Sequence, residues 1–352
     1  MTQRAAPPAQ FHPLPWRDTL TVRMLEGPEA LGFLAVQWPA LYAQDPDATP
    51  YQSSTWLRGW AAQRRDSIPI VLVAGHAPDR PVAALALART SNSQGQIKIS
   101  PLGSPVSEYV RVVRQGASTP HVVCALMQRL AQWAEDGAAV VMPDVPLGTC
   151  LGRMLSEEPG WRHSTVLCAQ VPLPVEYEAM SRATRREHIR RERTWTALEA
   201  DGRVEYSRSR TTDDLALGYA DALHLHRRRW ARHPVRVDTE LDGLLEVLRR
   251  CGPDQAFVAT LKLDGVAVAA AVCLYRGRTC YSLLPAMDPA IAELAPGHAL
   301  HRRLAADLAA AHFDFLDLGR TRSDPGQVSY KSQYGCSWSA TVTAASPGVE
   351  RQ

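Results

Sequence analysis

The stretch AFVATLKLDGVAVAAAVCLYRG, Ala256–Gly277, decides the fold. It consists of two apolar segments joined by Asp264-Gly265, and an Asp-Gly pair between such segments is a strong β-hairpin signal. An earlier stretch, Ile68–Thr90, has the same plan with a longer polar turn: IPIVLVAGHAPDRPVAALALART. The sequence therefore predicts one β-hairpin in each half of the chain.

The same pair of elements follows each hairpin. Apolar periodicity predicts a helix over 121–135 and a strand over 138–142 in the first half, then a helix over 297–311 and a strand over 313–318 in the second. The first strand ends at Pro143-Asp144, and Asp317 takes the matching place in the second. Two copies of a hairpin, helix and strand predict the duplication of one α/β fold.

Both predicted domains belong to the α/β (α+β) class, each with a mixed, mainly antiparallel sheet flanked by helices. We expect a flexible lead over residues 1–17, a first domain over 18–172 and a second over 173–352 that carries the site. Further helices are predicted before the hairpins, over 29–42, 52–64, 182–199, 213–230 and 240–250.

Composition limits the class of protein. The chain has 352 residues, of which 45% are apolar and 21% charged, with a net charge of +3, as in a globular protein with a large core. No apolar run reaches the roughly 18 residues of a membrane span, so none is expected. Seven scattered cysteines without a C-x-x-C pair favour a reduced, cytoplasmic location and no zinc site.

The candidate site is FDFLDLGRTRSDPGQVSYKSQYG, Phe313–Gly335. A strand that ends in a polar, glycine-containing loop is where α/β proteins usually place ligand chemistry. Strand alternation puts Asp314 and Asp317 on opposite sides, so only one of these acids can face a given pocket.

Several short motifs occur in the order found in one known group of enzymes. They are Tyr51–Trp56 (YQSSTW), Pro101–Tyr109 (PLGSPVSEY), the Arg-rich segment Arg182–Arg193, Arg229-Trp230, Asp317-x-Gly319-Arg320, Tyr330-Lys331 and Tyr334-Gly335. In the second motif, Glu108 replaces the usual Asp. This order resembles that of the Fem-type aminoacyl transferases and CelD-like acetyltransferases of the GNAT superfamily. The resemblance implies tandem GNAT-like domains and an acyltransferase that forms an amide bond on an amine acceptor.

The resemblance also implies roles for the residues of the candidate site. Asp317 would orient or deprotonate the amine, while Lys331 would offset negative charge on a phosphate or on the oxyanion. Tyr330 or Tyr334 would donate a proton to the leaving group, and Arg320 would bind a carboxylate or phosphate. A structural alternative stays open, in which Asp317 caps a turn or pairs with Arg320.

The acyl donor is less clear from the sequence. GNAT enzymes that use acyl-CoA commonly bind its pyrophosphate at an Arg/Gln-x-x-Gly-x-Gly/Ala turn. Here Gly297 and Ala299 are candidate cofactor-binding residues, but Leu294 occupies the Arg/Gln position. Alternatively, Pro296-Gly297 only begins a helix.

Fem-type relatives take an aminoacyl group from tRNA and need no CoA pocket. The candidate tRNA-binding residues are Arg182, Arg185, Arg186, Arg190 and Arg193, although such a helix can also be an ordinary solvated face. Trp230 and His298 are candidates for the acceptor pocket. The predicted co-substrate is aminoacyl-tRNA, with acyl-CoA second and no tightly bound cofactor. A protein that binds RNA or a partner without catalysis is the remaining alternative.

Overall fold

A computed structural model describes residues 20–77, 80–116, 120–231, 241, 243–321 and 325–349. The first half contains β1 (Thr21–Glu26), α1 (Pro28–Val36), α2 (Trp38–Gln44), α3 (Ser54–Gln63), β2 (Ser67–Ala77), β3 (Arg80–Ser91), β4 (Ile97–Pro101), β5 (Val113–Arg114), α4 (Pro120–Glu135), β6 (Ala139–Pro146), α5 (Cys150–Glu157) and β7 (Arg162–Pro172). The predicted lead over 1–17 lies outside the described residues.

The second half repeats this order. It contains α6 (Arg182–Ala200), β8 (Val204–Arg208), α7 (Thr212–Trp230), α8 (Leu244–Cys251), β9 (Ala256–Leu263), β10 (Val266–Arg276), β11 (Thr279–Met287), α9 (Pro296–Ala310), β12 (Phe315–Thr321), α10 (Pro325–Ser332) and β13 (Ser337–Ala345). The predicted hairpins are confirmed as β2–β3 and β9–β10. Asp264 and Gly265 both have positive φ, 51° and 79°, as a tight two-residue hairpin turn requires.

One continuous sheet runs through both halves in the order β1-β2-β3-β4-β6-β13-β7-β12-β11-β10-β9-β8, with β5 on β3. The last strand of each half lies beside the penultimate strand of the other: β13 pairs with β6, and β7 pairs with β12. In the middle, β7 and β13 pair antiparallel from Arg162↔Ala345 to Gln170↔Ser337. The halves therefore exchange their final strands, and the predicted division after residue 172 stays a prediction.

Equivalent bulges identify the matching positions of the two halves. In β6, Pro143 and Asp144 bulge opposite Thr343; in β12, Leu318 and Gly319 bulge opposite Ala169. Asp144 and Gly319 also share a positive φ, 54° and 65°. Asp144 thus matches Gly319, and the position of Asp317 is held in the first half by Met142, which is fully buried. The expected match of Asp144 with Asp317 is wrong by two residues. The reason is that each strand contains a bulge, which shifts the alternation of its side chains, and the sequence does not reveal the bulge.

The helices form close to the predicted positions. The predicted 29–42 helix is two helices, since Pro39 at the start of α2 breaks the backbone hydrogen-bond pattern after Val36. The first residues of the predicted 240–250 helix lie partly outside the described residues; α8 begins at Leu244. Trp56 and Trp60 are buried in the core between the halves. Among the described residues no helix has the length and hydropathy needed to cross a bilayer.

The exchanged strands predict that the two halves unfold together. Val342 is buried in β13 between β6 and β7, so Val342→Asp puts an unpaired carboxylate at this junction. We expect a loss of about 4 kcal/mol or more in the free energy of unfolding, measured by urea denaturation. Ser339→Asp, on an exposed part of the same strand, is the control and should change it by under about 1 kcal/mol. Two separate unfolding transitions, or equal effects of both substitutions, would contradict the arrangement.

Candidate active site

The candidate site lies where two parallel strands separate. β11 and β12 pair only from Thr279↔Phe315 to Tyr281↔Asp317. Beyond that point, β12 continues beside β7 and β11 beside β10. Asp317 is therefore the last paired residue of β12 before a gap opens in the sheet.

The Asp317 carboxylate is buried, with 5% of the residue exposed. Its Oδ1 accepts hydrogen bonds from the Tyr109 hydroxyl (2.7 Å) and from the Gly319 backbone N–H (2.7 Å). No hydrogen bond to Oδ2 is present among the described residues. One oxygen is thus fixed by the protein, and the other has no hydrogen-bond partner in the described part of the chain.

Burial raises the pKa of Asp317 to about 7, and the nearby Glu108 carboxylate adds to this increase. The hydrogen bonds from Tyr109 and Gly319 and the charge of Lys331 oppose it. A carboxyl group with a pKa near neutrality can both take and release a proton, which is the property of a general base.

The motif loop 101–109 of the first half positions Tyr109. Gln52 Nε2 donates to the Tyr109 carbonyl oxygen (3.0 Å), and Trp56 Nε1 donates to Ser107 Oγ (2.8 Å). The two motifs Tyr51–Trp56 and Pro101–Tyr109 therefore pack on each other. This packing places Tyr109 and Glu108 against residues of the second half.

Arg320 joins the halves through two acids. Its Nε donates to Glu108 Oε1 and its Nη1 to Asp144 Oδ2, both at 2.9 Å. Although burial opposes ionisation of Arg320, these two carboxylates raise its pKa. The structural alternative of an Asp317–Arg320 pair is not what forms. Arg320 was expected to bind a substrate carboxylate or phosphate, but these donors are occupied by protein carboxylates.

The ammonium group of Lys331 is also fully engaged. Its Nζ donates to the carbonyl oxygens of Leu318 (2.8 Å), Gly319 (3.0 Å) and Arg320 (2.7 Å). These bonds use all three N–H donors. The residue therefore anchors the bulge that follows Asp317, and its charge-neutralising role stays a prediction.

The predicted tyrosines lie in a second polar group on α6, α9 and α10. Tyr330 Oη contacts His301 Nδ1 (2.6 Å), Tyr334 Oη contacts His298 Nδ1 (2.8 Å), and Arg191 Nη1 donates to His298 Nε2 (2.7 Å). Burial lowers the pKa of His298 to about 3 and that of His301 to about 4, so both are neutral. Among the described residues no hydrogen bond joins this group to Asp317. The tyrosines and Asp317 thus have different hydrogen-bond partners, and their action in one site stays a prediction.

The predicted phosphate turn is the start of α9. The His298 and Ala299 N–H groups both donate to the Ala295 carbonyl oxygen (3.0 and 3.3 Å). A β-carbon on Gly297 would lie 3.6 Å from the Tyr330 hydroxyl, and Trp195 Nε1 donates to the Leu294 carbonyl oxygen. These contacts fit the start of a helix and give no direct indication of a phosphate site at Gly297 and Ala299.

The Arg-rich helix presents a basic stripe, Arg182, Arg186, Arg190 and Arg193, whose side chains are exposed. Arg190 is 66% exposed and pairs with Glu187, while Arg185 is half-buried and donates to the Glu178 carbonyl oxygen. The remaining predicted residue, Trp230, ends α7 with its ring 6.2 Å from that of His226. The residues after it, 232–240, lie outside the described part of the chain.

Four residues of this site had no role assigned from the sequence. They are Tyr51, Glu108, Tyr109 and Tyr281, whose tyrosine rings have centroids 6.0 to 6.4 Å apart. The motifs contained three of them, but a motif does not state which side chain faces the other half. Nothing in the sequence around Tyr281 distinguishes it from a core tyrosine.

Comparisons with known proteins agree with this architecture. Residues 183–332 match the acetyltransferase (GNAT) domain family. No protein of curated function matches the chain in sequence. The crystal structure of FemX superposes with a TM-score of 0.60 at 13% identity, covering 88% of this chain and 94% of that one. A tandem GNAT protein from the clavulanic acid biosynthesis pathway gives 0.54 at 13%, covering 94% and 100%.

The C-terminal domain of a putative lysylphosphatidylglycerol synthetase from Agrobacterium fabrum also gives 0.54 at 13% identity, covering 90% of this chain and 93% of that one. At such identity these likenesses establish the tandem GNAT fold. The chain carries an acetyltransferase (GNAT) domain, and its class is acyltransferase. The predicted GNAT fold is confirmed, and the family match is to the acetyltransferase (GNAT) domain over residues 183–332.

Gly319 provides a test of the close packing in the site. Its φ is +65°, and a β-carbon there would lie 2.6 Å from Glu108 Oε2. We expect Gly319→Ala to lower the free energy of unfolding by about 2 kcal/mol or more, measured in urea. Gly265 also has a positive φ, +79°, but a β-carbon there would have no atom within 4 Å. Gly265→Ala therefore measures backbone strain alone and should lower the free energy of unfolding by about 1 kcal/mol. Equal losses would show that Glu108 does not restrict this position.

The raised pKa of Asp317 predicts a pH-dependent stability. The pKa of an aspartate carboxyl is 3.8 in the unfolded chain, but burial raises the pKa of Asp317 to about 7 in the folded state, which therefore binds more protons between these values. The free energy of unfolding therefore falls as pH rises through this window, by up to about 1.4 kcal/mol per pH unit. In Asp317→Asn this contribution is absent, so the mutant should gain stability over the wild type from pH 4 to pH 7. A pH-independent difference would contradict the assignment.

Proposed function

We propose that the protein forms an amide bond by transferring an aminoacyl group from aminoacyl-tRNA to an amine acceptor. The observation that carries this proposal is the Asp317 carboxylate, buried where β11 and β12 separate, with a pKa near 7 and a free Oδ2. An acyl transfer to an amine needs such a base beside the attacking nitrogen.

In the proposed reaction Oδ2 of Asp317 takes a proton from the acceptor amine. The nitrogen attacks the ester carbonyl carbon, an N–C bond forms, and the C–O bond to the ribose of tRNA breaks. Asp317 then returns the proton to the leaving oxygen. Tyr109 holds Oδ1 and so fixes the orientation of the carboxylate, while Lys331 fixes the backbone that follows it.

Two features favour tRNA as the donor. The basic stripe on α6 is exposed, and no ion pair neutralises Arg182, Arg186 or Arg193 among the described residues. Such a surface suits the phosphate backbone of a nucleic acid. The start of α9 lacks the Arg/Gln that commonly accompanies a CoA pyrophosphate site, since Leu294 stands there. We place this reaction in a reduced, cytoplasmic compartment.

The Gly-x-Ala turn at Gly297 and Ala299 keeps acyl-CoA as the second candidate donor. The protein class is the same, but the C–S bond of the thioester would then break and the CoA thiolate would be the leaving group. The remaining predicted residues, Tyr330, Tyr334, His298 and Trp230, would contact the substrates in either case.

The proposal is tested by incubating the protein with radiolabelled aminoacyl-tRNA or acetyl-CoA and a panel of amines. We expect amide product from aminoacyl-tRNA, with a rate that rises with pH through about 7 as Asp317 ionises. Asp317→Asn should lower kcat about 10²- to 10⁴-fold. If product forms from acetyl-CoA and not from aminoacyl-tRNA, the donor is acyl-CoA and the proposed tRNA donor is wrong.

The tRNA contact has its own control. Arg186→Glu and Arg193→Glu should raise KM for aminoacyl-tRNA and reduce the slope of its salt dependence by about 1 for each lost phosphate contact. Arg250→Glu, an exposed arginine on α8, should leave both unchanged. If Asp317→Ala and Lys331→Ala keep full biological activity, the protein is a binding module and not an enzyme.

A further inference from the structure

Arg111 is a mostly buried arginine whose guanidinium has no hydrogen-bond or ion-pair partner among the residues that the structure describes. No hydrogen bond or ion pair joins its guanidinium to another described residue, and its Nε is fully buried. Burial lowers its pKa, as expected for a cation that has lost water without gaining a counter-ion. Arginines withdrawn from water are normally paired, because an unpaired buried charge is costly.

The nearest acids are already engaged. Asp45 accepts the Arg114 backbone N–H at Oδ2 (3.1 Å) and the Asp47 N–H at Oδ1 (3.0 Å), and Asp47 pairs with the Arg114 guanidinium. Both acids influence Arg111 electrostatically, but neither lies within 4 Å of it in an ion pair. The guanidinium of Arg111 can therefore form an ion pair with a bound anion.

A second unpartnered group lies on the same cavity. The hydroxyl of Tyr51 is buried without a hydrogen-bond partner, and only 1% of the residue is exposed. Tyr51 and Arg111 both line a cavity of about 20 Å³. This is room for one or two water-sized groups, such as the oxygens at the end of a carboxylate.

The cavity lies beside the proposed base. Tyr281, whose backbone pairs with Asp317, has its ring 6.0 Å from that of Tyr51, and the charges of Asp317 and Arg111 both act on its hydroxyl. Tyr281 therefore lies near both the acid and the arginine. Arg276 is the other cation near Tyr281, and its Nη1 is also buried without a partner.

We propose that Arg111 and Tyr51 form a subsite for a carboxylate of the acceptor, so that the acceptor is an amine that also carries a carboxylate, of the amino-acid type. This rests on the proposed function for the position of the amine, at Asp317. The planar fork of arginine matches a carboxylate, and the Tyr51 hydroxyl supplies an additional donor. Binding would give both unpartnered groups a hydrogen bond.

The subsite is tested first by binding. Melting temperature is measured in sodium acetate against sodium chloride at equal ionic strength, with acetamide as the neutral analogue. We expect acetate to raise the melting temperature of the wild type and of Arg250→Met, but not of Arg111→Met or Tyr51→Phe. In sodium chloride without acetate, Arg111→Met should melt at a higher temperature than the wild type, because the substitution removes an unpaired buried charge.

The second test is transfer to matched acceptors: glycine against methylamine, and β-alanine against ethylamine. Arg111→Met should raise KM for the carboxylate member of each pair about 10- to 100-fold and leave that of the simple amine unchanged. A lower melting temperature for Arg111→Met, equal KM changes within a pair, or stabilisation by inorganic phosphate but not acetate would overturn the subsite. An acetate effect without any transfer would retain the subsite and reject the proposed reaction.

Discussion

The antiparallel pairing of β7 with β13 is the constraint on which the remainder of the structure depends. Each strand ends one half of the chain but lies beside the penultimate strand of the other half, so each half completes the other's sheet. Burial of strands on both sides leaves no free edge at the junction. This pairing holds the bulges of β6 and β12 in the relation that lets Arg320 reach Asp144 and Glu108.

The candidate active site is consequently formed by residues of both halves. The second half supplies Asp317 on β12, and the first half supplies the Tyr109 hydroxyl that binds it and the Glu108 carboxylate that helps to raise its pKa. Duplication did not give two equal sites, because Met142 occupies the position of Asp317 in the first half. The first half instead became the support that adjusts the acid of the second.

Burial governs the chemistry of the site in opposite directions. It raises the pKa of Asp317 toward neutrality, where a carboxyl group can exchange protons. It also withdraws Arg111 from water, although no described residue forms an ion pair or hydrogen bond with its guanidinium. Both states cost stability, and both are typical of groups kept for a ligand. Lys331 differs from both, because three backbone carbonyl oxygens accept hydrogen bonds from its buried ammonium group. These bonds hold the bulge of β12.

Local sequence determined the hairpins, most helices and the duplicated order of elements, because the Asp264-Gly265 turn and apolar periodicity act over a few residues. It also identified Asp317 as the acid at a strand end. Only the tertiary structure decided the partners. Asp317 meets Tyr109 and Arg320 meets Glu108 across more than half of the chain, Lys331 turns to the backbone, and Tyr330 joins the histidines instead of the acid. The physical reason is that strand exchange and burial bring distant groups together, and short-range spacing carries no information about which groups these are.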